Sequence, residues 1–173
     1  MPINRHGGGA RTNENGLRFE QETSLSQALV DAGYRVLENG RVLNRKGVIM
    51  GVLVPKHKLY KNLLAPNNVN WEQYISKQLF PDEAFYNWLN KTVYIIEKKF
   101  QNGSGSVDEK LQTCDFKKKQ YQKLFFPLNL DVEYVYVCNE WFADSKYRDV
   151  HDYIYSVGCH IFFNEIPLDF LGL

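Results

Sequence analysis

Apolar and polar residues change rhythm several times along the chain, and each change marks an element. From Gly16 onward, Leu17, Leu25, Ala28 and Leu29 recur at near-helical spacing until Gly33, which predicts an amphipathic helix packed on a sheet. Residues 34–37 and 42–43 read as short strands around the turn Glu38-Asn39-Gly40-Arg41. The β-branched run 48–54, closed by Pro55, predicts a further strand. Residues 56–70 read as a loop or short helix, 71–79 as one short helix, and 83–88 and 92–100 as two strands. A long helix is predicted over 106–125. The run 131–138 is apolar or tyrosine at nearly every position and predicts a central, buried strand; a helix over 147–157 and a last strand over 160–163 follow. The sum is an α/β domain, a central mixed β-sheet flanked by α-helices, spanning 16–173 behind a loose N-terminal tail, 1–15, that carries Gly7-Gly8-Gly9.

Composition narrows this picture. A chain of 173 residues makes one domain with a proper core, and 44% hydrophobic with 14% aromatic residues argues for a folded protein. The formal net charge of +1 argues against a stand-alone, high-affinity DNA binder, since phosphate neutralisation carries most non-specific affinity. It leaves room for a catalytic module brought to DNA by a partner. Cys114, Cys138 and Cys159 have no short spacing, and His6, His57, His151 and His160 do not complete a zinc site with them. An odd cysteine count with no secretory signal or membrane-length apolar run predicts a cytoplasmic protein.

The chemistry lies between Pro81 and Lys99. On the second predicted strand Val93, Ile95, Glu97 and Lys99 share a face, because side chains alternate with period two. An apolar face thus turns abruptly into a carboxylate and an ammonium. With Leu89 and Asn90 as a two-residue loop, Trp88 faces Lys91 and Asp82 faces Glu97; a longer loop moves Asp82 opposite Lys98 or Lys99. Two carboxylates so close repel unless a cation lies between them, and a hard divalent ion such as Mg²⁺ suits oxygen ligands beside phosphate. Lys99, on the same face, can hold an attacking water and stabilise developing negative charge.

Pro81-Asp82 followed after a hairpin by Glu97-Lys98-Lys99 resembles the Pro-Asp…(Asp/Glu)-x-Lys signature of the restriction-endonuclease-like nucleases. The resemblance implies their core fold and a Mg²⁺-dependent DNA endonuclease, with Asp82, Glu97 and the Lys98 carbonyl as metal ligands and Lys99 positioning the water. It also implies an N-terminal helix bearing a glutamate, for which Glu20 is placed to bind a second metal or orient Lys99, and a glutamine after the lysine, matched by Gln101. Ser106 and Glu109 form a Ser-x-x-Glu capping pattern at the start of the long helix. Gln101, Ser104, Ser106 and the basic run Lys117, Lys118 and Lys119 are candidate DNA contacts, and Lys56-His57-Lys58 with Lys61 raises the same question. No recognition module is visible, so the resemblance points to the small catalytic subunit of a heterodimeric restriction enzyme, cutting one strand of double-stranded DNA beside a larger site-reading subunit, with a homodimeric restriction enzyme next. A repair or junction-resolving nuclease, or a non-catalytic DNA-binding or assembly protein on the same fold, is the alternative.

Overall fold

The computed structural model describes residues 15–103 and 105–173; residues 1–14 of the tail and Ser104 lie outside the described residues. Seven strands form one mixed sheet in sequence order: β2 (Arg35–Val36), β3 (Arg41–Leu43), β4 (Ile49–Leu53), β5 (Glu83–Asn87), β6 (Thr92–Lys99), β7 (Asp131–Cys138) and β8 (His160–Phe163). Neighbours from β2 to β6 are antiparallel, while β7 and β8 run parallel to β6. The parallel pairing needs long crossovers. One is supplied by α2 (Val107–Lys110) and α3 (Cys114–Phe125), the other by α4 (Arg148–Ser156).

Each face of the sheet has its own core. On one, Ala84, Val93, Ile95, Tyr134 and Tyr136 pack against Tyr121, Leu124 and Phe125 of α3, Ile154 of α4, and the helical segment Leu59–Leu64. On the other, Phe85, Tyr94, Ile96, Val135 and Val137 are covered by Leu25, Ala28 and Leu29 of α1 (Leu25–Asp31) and by Ile166, Leu168 and Leu171 near the C-terminus. Burial on both faces explains the unbroken apolar reading of β7. Among the described residues no helix is long and apolar enough to cross a membrane.

The early helix differs from expectation. Leu17 lies in β1 (Gly16–Arg18), held extended by antiparallel pairing with β9 (Glu165–Pro167). The helix begins only after Ser24, whose side chain accepts from Gln27 N. The segment 71–79 makes only the short turn Trp71–Gln73, because Leu79 is tied to Tyr60 and Phe80 precedes a proline, which disfavours helix. The long helix predicted over 106–125 is interrupted at Leu111–Thr113, where the Lys110 carbonyl accepts from the Thr113 and Tyr136 hydroxyls. Ser106 does not cap it: its backbone is already helical (φ −70°, ψ −1°) and its side chain makes no capping bond.

Gly51 shows how closely β4 and β5 approach. It pairs with Asn87, and a Cβ there would run into the Tyr86 carbonyl oxygen and crowd the Phe85 ring at 2.8 Å. Gly51→Ala should therefore destabilise the protein by about 1–3 kcal/mol, the usual range for overpacking, read as a lower urea midpoint.

Candidate active site

The β5–β6 hairpin keeps the register of the two-residue-loop reading, with Glu83 opposite Ile96 and Asn87 opposite Thr92, but four residues, 88–91, lie between the strands. Asn87 shapes the turn by accepting from Leu89 N, and Lys91 takes a left-handed φ of 55°. Asp82 lies one residue before β5, and the same register brings it opposite Glu97. It does not extend the backbone ladder; its Oδ2 accepts from Lys98 N at 2.9 Å.

Alternation along both strands sends the side chains to two faces. Glu97 and Lys99 project on the α3 side, with Lys99 Nζ 3.4 Å from Glu97 Oε2, and Asp82, just beyond the ladder, stands near enough to Glu97 and to Glu83 to disfavour the charge of each. Glu97 is 6% exposed, and burial pushes its carboxyl above the usual range; Lys99 and Lys117 pull it down, and Asp82 pushes it further up. Tyr136 lies beside Glu97 on β7. The buried hydroxyls of Tyr121, Tyr134 and Tyr136 are held well above their ordinary range, first by desolvation, so none supplies a phenolate.

On the reverse face, Lys98 Nζ donates to the Thr23 carbonyl at 2.9 Å and lies 3.9 Å from Glu83 Oε1. Burial raises the Glu83 pKa, and the Leu25 backbone N–H and Lys98 oppose that shift. Lys98 and Glu83 thus tie the hairpin to the start of α1.

The approach to Asp82 is also held. Tyr60 Oη donates to Leu79 O and accepts from Leu79 N, both at 2.8 Å, and Lys56 N donates to Pro81 O at 3.0 Å. Beyond Lys99, the Asn139 side chain accepts from Gln101 N and donates to Gln101 O at 2.7 Å, fixing the loop. Tyr60 and Asn139 escaped the sequence reading. Neither belongs to a motif, and their partners are 19 and 38 residues away.

The other candidates disperse. Glu20 is exposed in the turn between β1 and α1, where its N–H bonds Thr23 Oγ1, on the Lys98 side of β6 and not on the Glu97 side. The helix expected to carry it starts five residues later, at Leu25. Gln101 turns its amide onto Gly103 O. Ser106 is exposed at the start of α2, and Ser104 lies outside the described residues. Of the basic run, Lys118 bonds Gly158 O at 2.6 Å and faces Glu133, and Lys119 pairs with Asp115 at 2.8 Å. Of the three, Lys117 alone helps to lower the Glu97 pKa through its charge.

Among the described residues no three His, Cys, Asp or Glu side chains gather to enclose a metal. The pair still suits a hard cation: two mutually repelling carboxylates, one of them buried, each with an oxygen, Asp82 Oδ1 and Glu97 Oε1, that accepts no hydrogen bond among the described residues. Two carboxylates and a backbone carbonyl match Mg²⁺, which keeps several of its waters. No protein-family model and no curated protein matches this chain, so the site's chemistry is argued from its own residues.

Proposed function

We propose that this chain is a Mg²⁺-dependent endonuclease that hydrolyses a DNA phosphodiester on a restriction-endonuclease-like core. The observation that carries the reading is Glu97 and Lys99 on one face of β6 with Asp82 held on the Lys98 N–H beside them, and the Glu97 carboxylate buried against its own electrostatic preference. Shifted carboxyls gather at functional sites, and Glu97 stands beside a second carboxylate and the Lys99 ammonium, whereas Glu83, raised by the same burial, is engaged by Lys98 and the Leu25 N–H. The sequence of an antiparallel hairpin, a helical crossover and a parallel strand also agrees with the resemblance drawn from Pro81-Asp82 and Glu97-Lys98-Lys99.

Asp82 and Glu97, with the Lys98 carbonyl, would hold the ion. When bound, Mg²⁺ supplies positive charge that reconciles the two carboxylates and polarises a phosphoryl oxygen. The remaining work falls to the chain. The Lys98 N–H orients Asp82, and Lys99 can hold a water by hydrogen bonding and stabilise charge developing on phosphorus-bound oxygens. Lys117 adds a second cation from α3.

The +1 net charge and the internal pairing of Lys118 and Lys119 leave few phosphate contacts, which favours action beside a larger site-reading subunit or a second copy of the chain. The purified chain should nick supercoiled plasmid slowly and with little sequence preference in Mn²⁺ or Mg²⁺. Efficient double-strand cutting at one defined sequence by the chain alone would instead favour a homodimeric restriction enzyme. Absence of both nicking and Glu97-dependent Mn²⁺ uptake in calorimetry would overturn the nuclease reading.

Tyr60 gives a second handle on the site. Tyr60→Phe removes both bonds to Leu79 and loosens the segment that delivers Asp82. It should lower nicking about 10–100-fold, as loss of support behind a metal ligand commonly does, with Tm lowered by only a few degrees.

A further inference from the structure

We propose that Phe80 and His57, flanked by Lys56, Lys58 and Lys61, form a stacking platform for an unpaired base, so that the preferred substrate is DNA with a single-stranded segment at the cut. This rests on the nuclease reading and names the substrate class for the same site.

Phe80 is 45% exposed although its neighbours Leu79 and Pro81 are half-buried and buried. Its ring is not loose. His57 lies against it with centroids 4.4 Å apart, and Tyr60 meets it edge-on at 5.7 Å. His57 is itself exposed. A large aromatic ring held rigidly at the surface presents a ready π-face at little entropic cost.

The platform is joined to the catalytic hairpin. Lys56 N donates to Pro81 O, and Tyr60 clamps Leu79, so both sides of Phe80 are pinned. Lys56 holds a left-handed φ of 51°, which fixes the turn that presents His57 and Lys58. Phe80 is two residues from Asp82, at most about 7 Å of backbone, so a base stacked on it belongs to a nucleotide at or beside the cut.

Charge points to the same ligand. Lys56, Lys58 and Lys61 are exposed, and none closes an ion pair among the described residues, whereas Lys118 and Lys119 are engaged within the fold. Unneutralised cations around an exposed ring are the combination that binds single-stranded nucleic acid, the ring taking the base and the ammonium groups the backbone. Paired bases inside a duplex stack on one another and offer no face to Phe80; a contact made only to duplex phosphates would have no use for the ring.

The test is fluorescence anisotropy with the full chain in chelator, where nothing is cut. The probes are a blunt duplex, the same duplex with a single-stranded tail, and that tailed duplex with abasic sites in the tail. The tailed duplex should bind about 5- to 100-fold more tightly than the blunt one, and the abasic tail should lose the gain. Phe80→Ala should bring tailed DNA to the blunt level, while Phe80→Trp keeps the preference. Lys56→Gln with Lys58→Gln should weaken all three DNAs alike and reduce the salt dependence. Equal binding of blunt and tailed DNA, or of base-bearing and abasic tails, overturns the platform; these comparisons use the unaltered protein, so misfolding of a variant cannot obscure them. Cutting in Mg²⁺ without a tail preference removes the platform and leaves the nuclease. A tail preference with no cutting in any metal removes the nuclease and leaves a single-strand-binding platform.

Discussion

Glu97→Gln is expected to give a protein that is nearly inactive and yet harder to unfold at neutral pH without metal. The loss in plasmid nicking should be about 10²–10³-fold or more, because the amide neither ligates a hard cation well nor balances its charge. The stability effect follows from the raised Glu97 pKa, set first by burial. The folded protein holds this proton at pH values where the unfolded chain, near the ordinary 4.5, has released it. Stability therefore falls as pH rises from the unfolded value through the folded one, and the penalty is fully present above both. Glutamine carries no charge to penalise, so its advantage should appear in thermal melts at neutral pH and vanish below about pH 4. A Glu97→Gln protein that melts lower than the parent at pH 7 in chelator would contradict the burial account, and one that nicks at the parental rate would remove Glu97 from the catalytic role.

What was legible in the sequence was what local pattern controls. Alternation in 92–99 and the polar turn placed Asp82 opposite Glu97, Lys98 or Lys99, and the fold selects the first of these registers. β7 and β8 matched their predicted bounds because long apolar runs leave little choice. The misses came from partners far along the chain. Leu17 fits a helical pattern with Leu25 and Ala28, but pairing with Ile166 holds it extended. The helix from Ser106 has the right spacing, yet the Tyr136 hydroxyl helps to break it at Lys110. Glu20 went with the lost helix. The basic run at Lys117 to Lys119 looked like one surface, and only the fold shows that Glu133 and Asp115 engage two of its members while the charge of Lys117 is felt by Glu97.

The two faces of the hairpin explain why adjacent residues carry such different roles. Lys98 is turned to Glu83 and the Thr23 carbonyl, where it fastens β6 to the start of α1. Its backbone N–H remains in the plane of the sheet and is used by Asp82. One residue therefore anchors the strand with its side chain and orients a carboxylate with its main chain. Lys99, one step on, lies on the other face beside Glu97. A register slip of one residue would exchange these roles and put Glu97 and Lys99 on the wrong face, so the support from Glu83 and Lys98 also protects the arrangement on which the proposed chemistry rests.

Removal of divalent metal is expected to abolish cleavage and also to lower the melting temperature of the parent protein, and the second effect is independent of DNA. A cation held between Asp82 and Glu97, as proposed, would relieve their repulsion and compensate the buried charge. An ion that binds the folded chain and not the unfolded one stabilises it by about 2.7 kcal/mol at a hundredfold excess over its Kd. Mn²⁺ or Mg²⁺ should thus raise Tm by several degrees in the parent and leave Glu97→Gln nearly unmoved. Ca²⁺ should raise Tm as well, since it takes the same oxygen donors, but it should support little turnover because its longer, looser coordination misplaces the reacting oxygens. Melting curves for both proteins in chelator, Mg²⁺, Mn²⁺ and Ca²⁺, run beside plasmid assays in the same buffers, separate the possibilities. Equal metal-induced shifts in the two proteins would mean the ion binds elsewhere, and undiminished cutting in chelator would assign the hydrolysis to a metal-free mechanism that Asp82 and Glu97 do not serve.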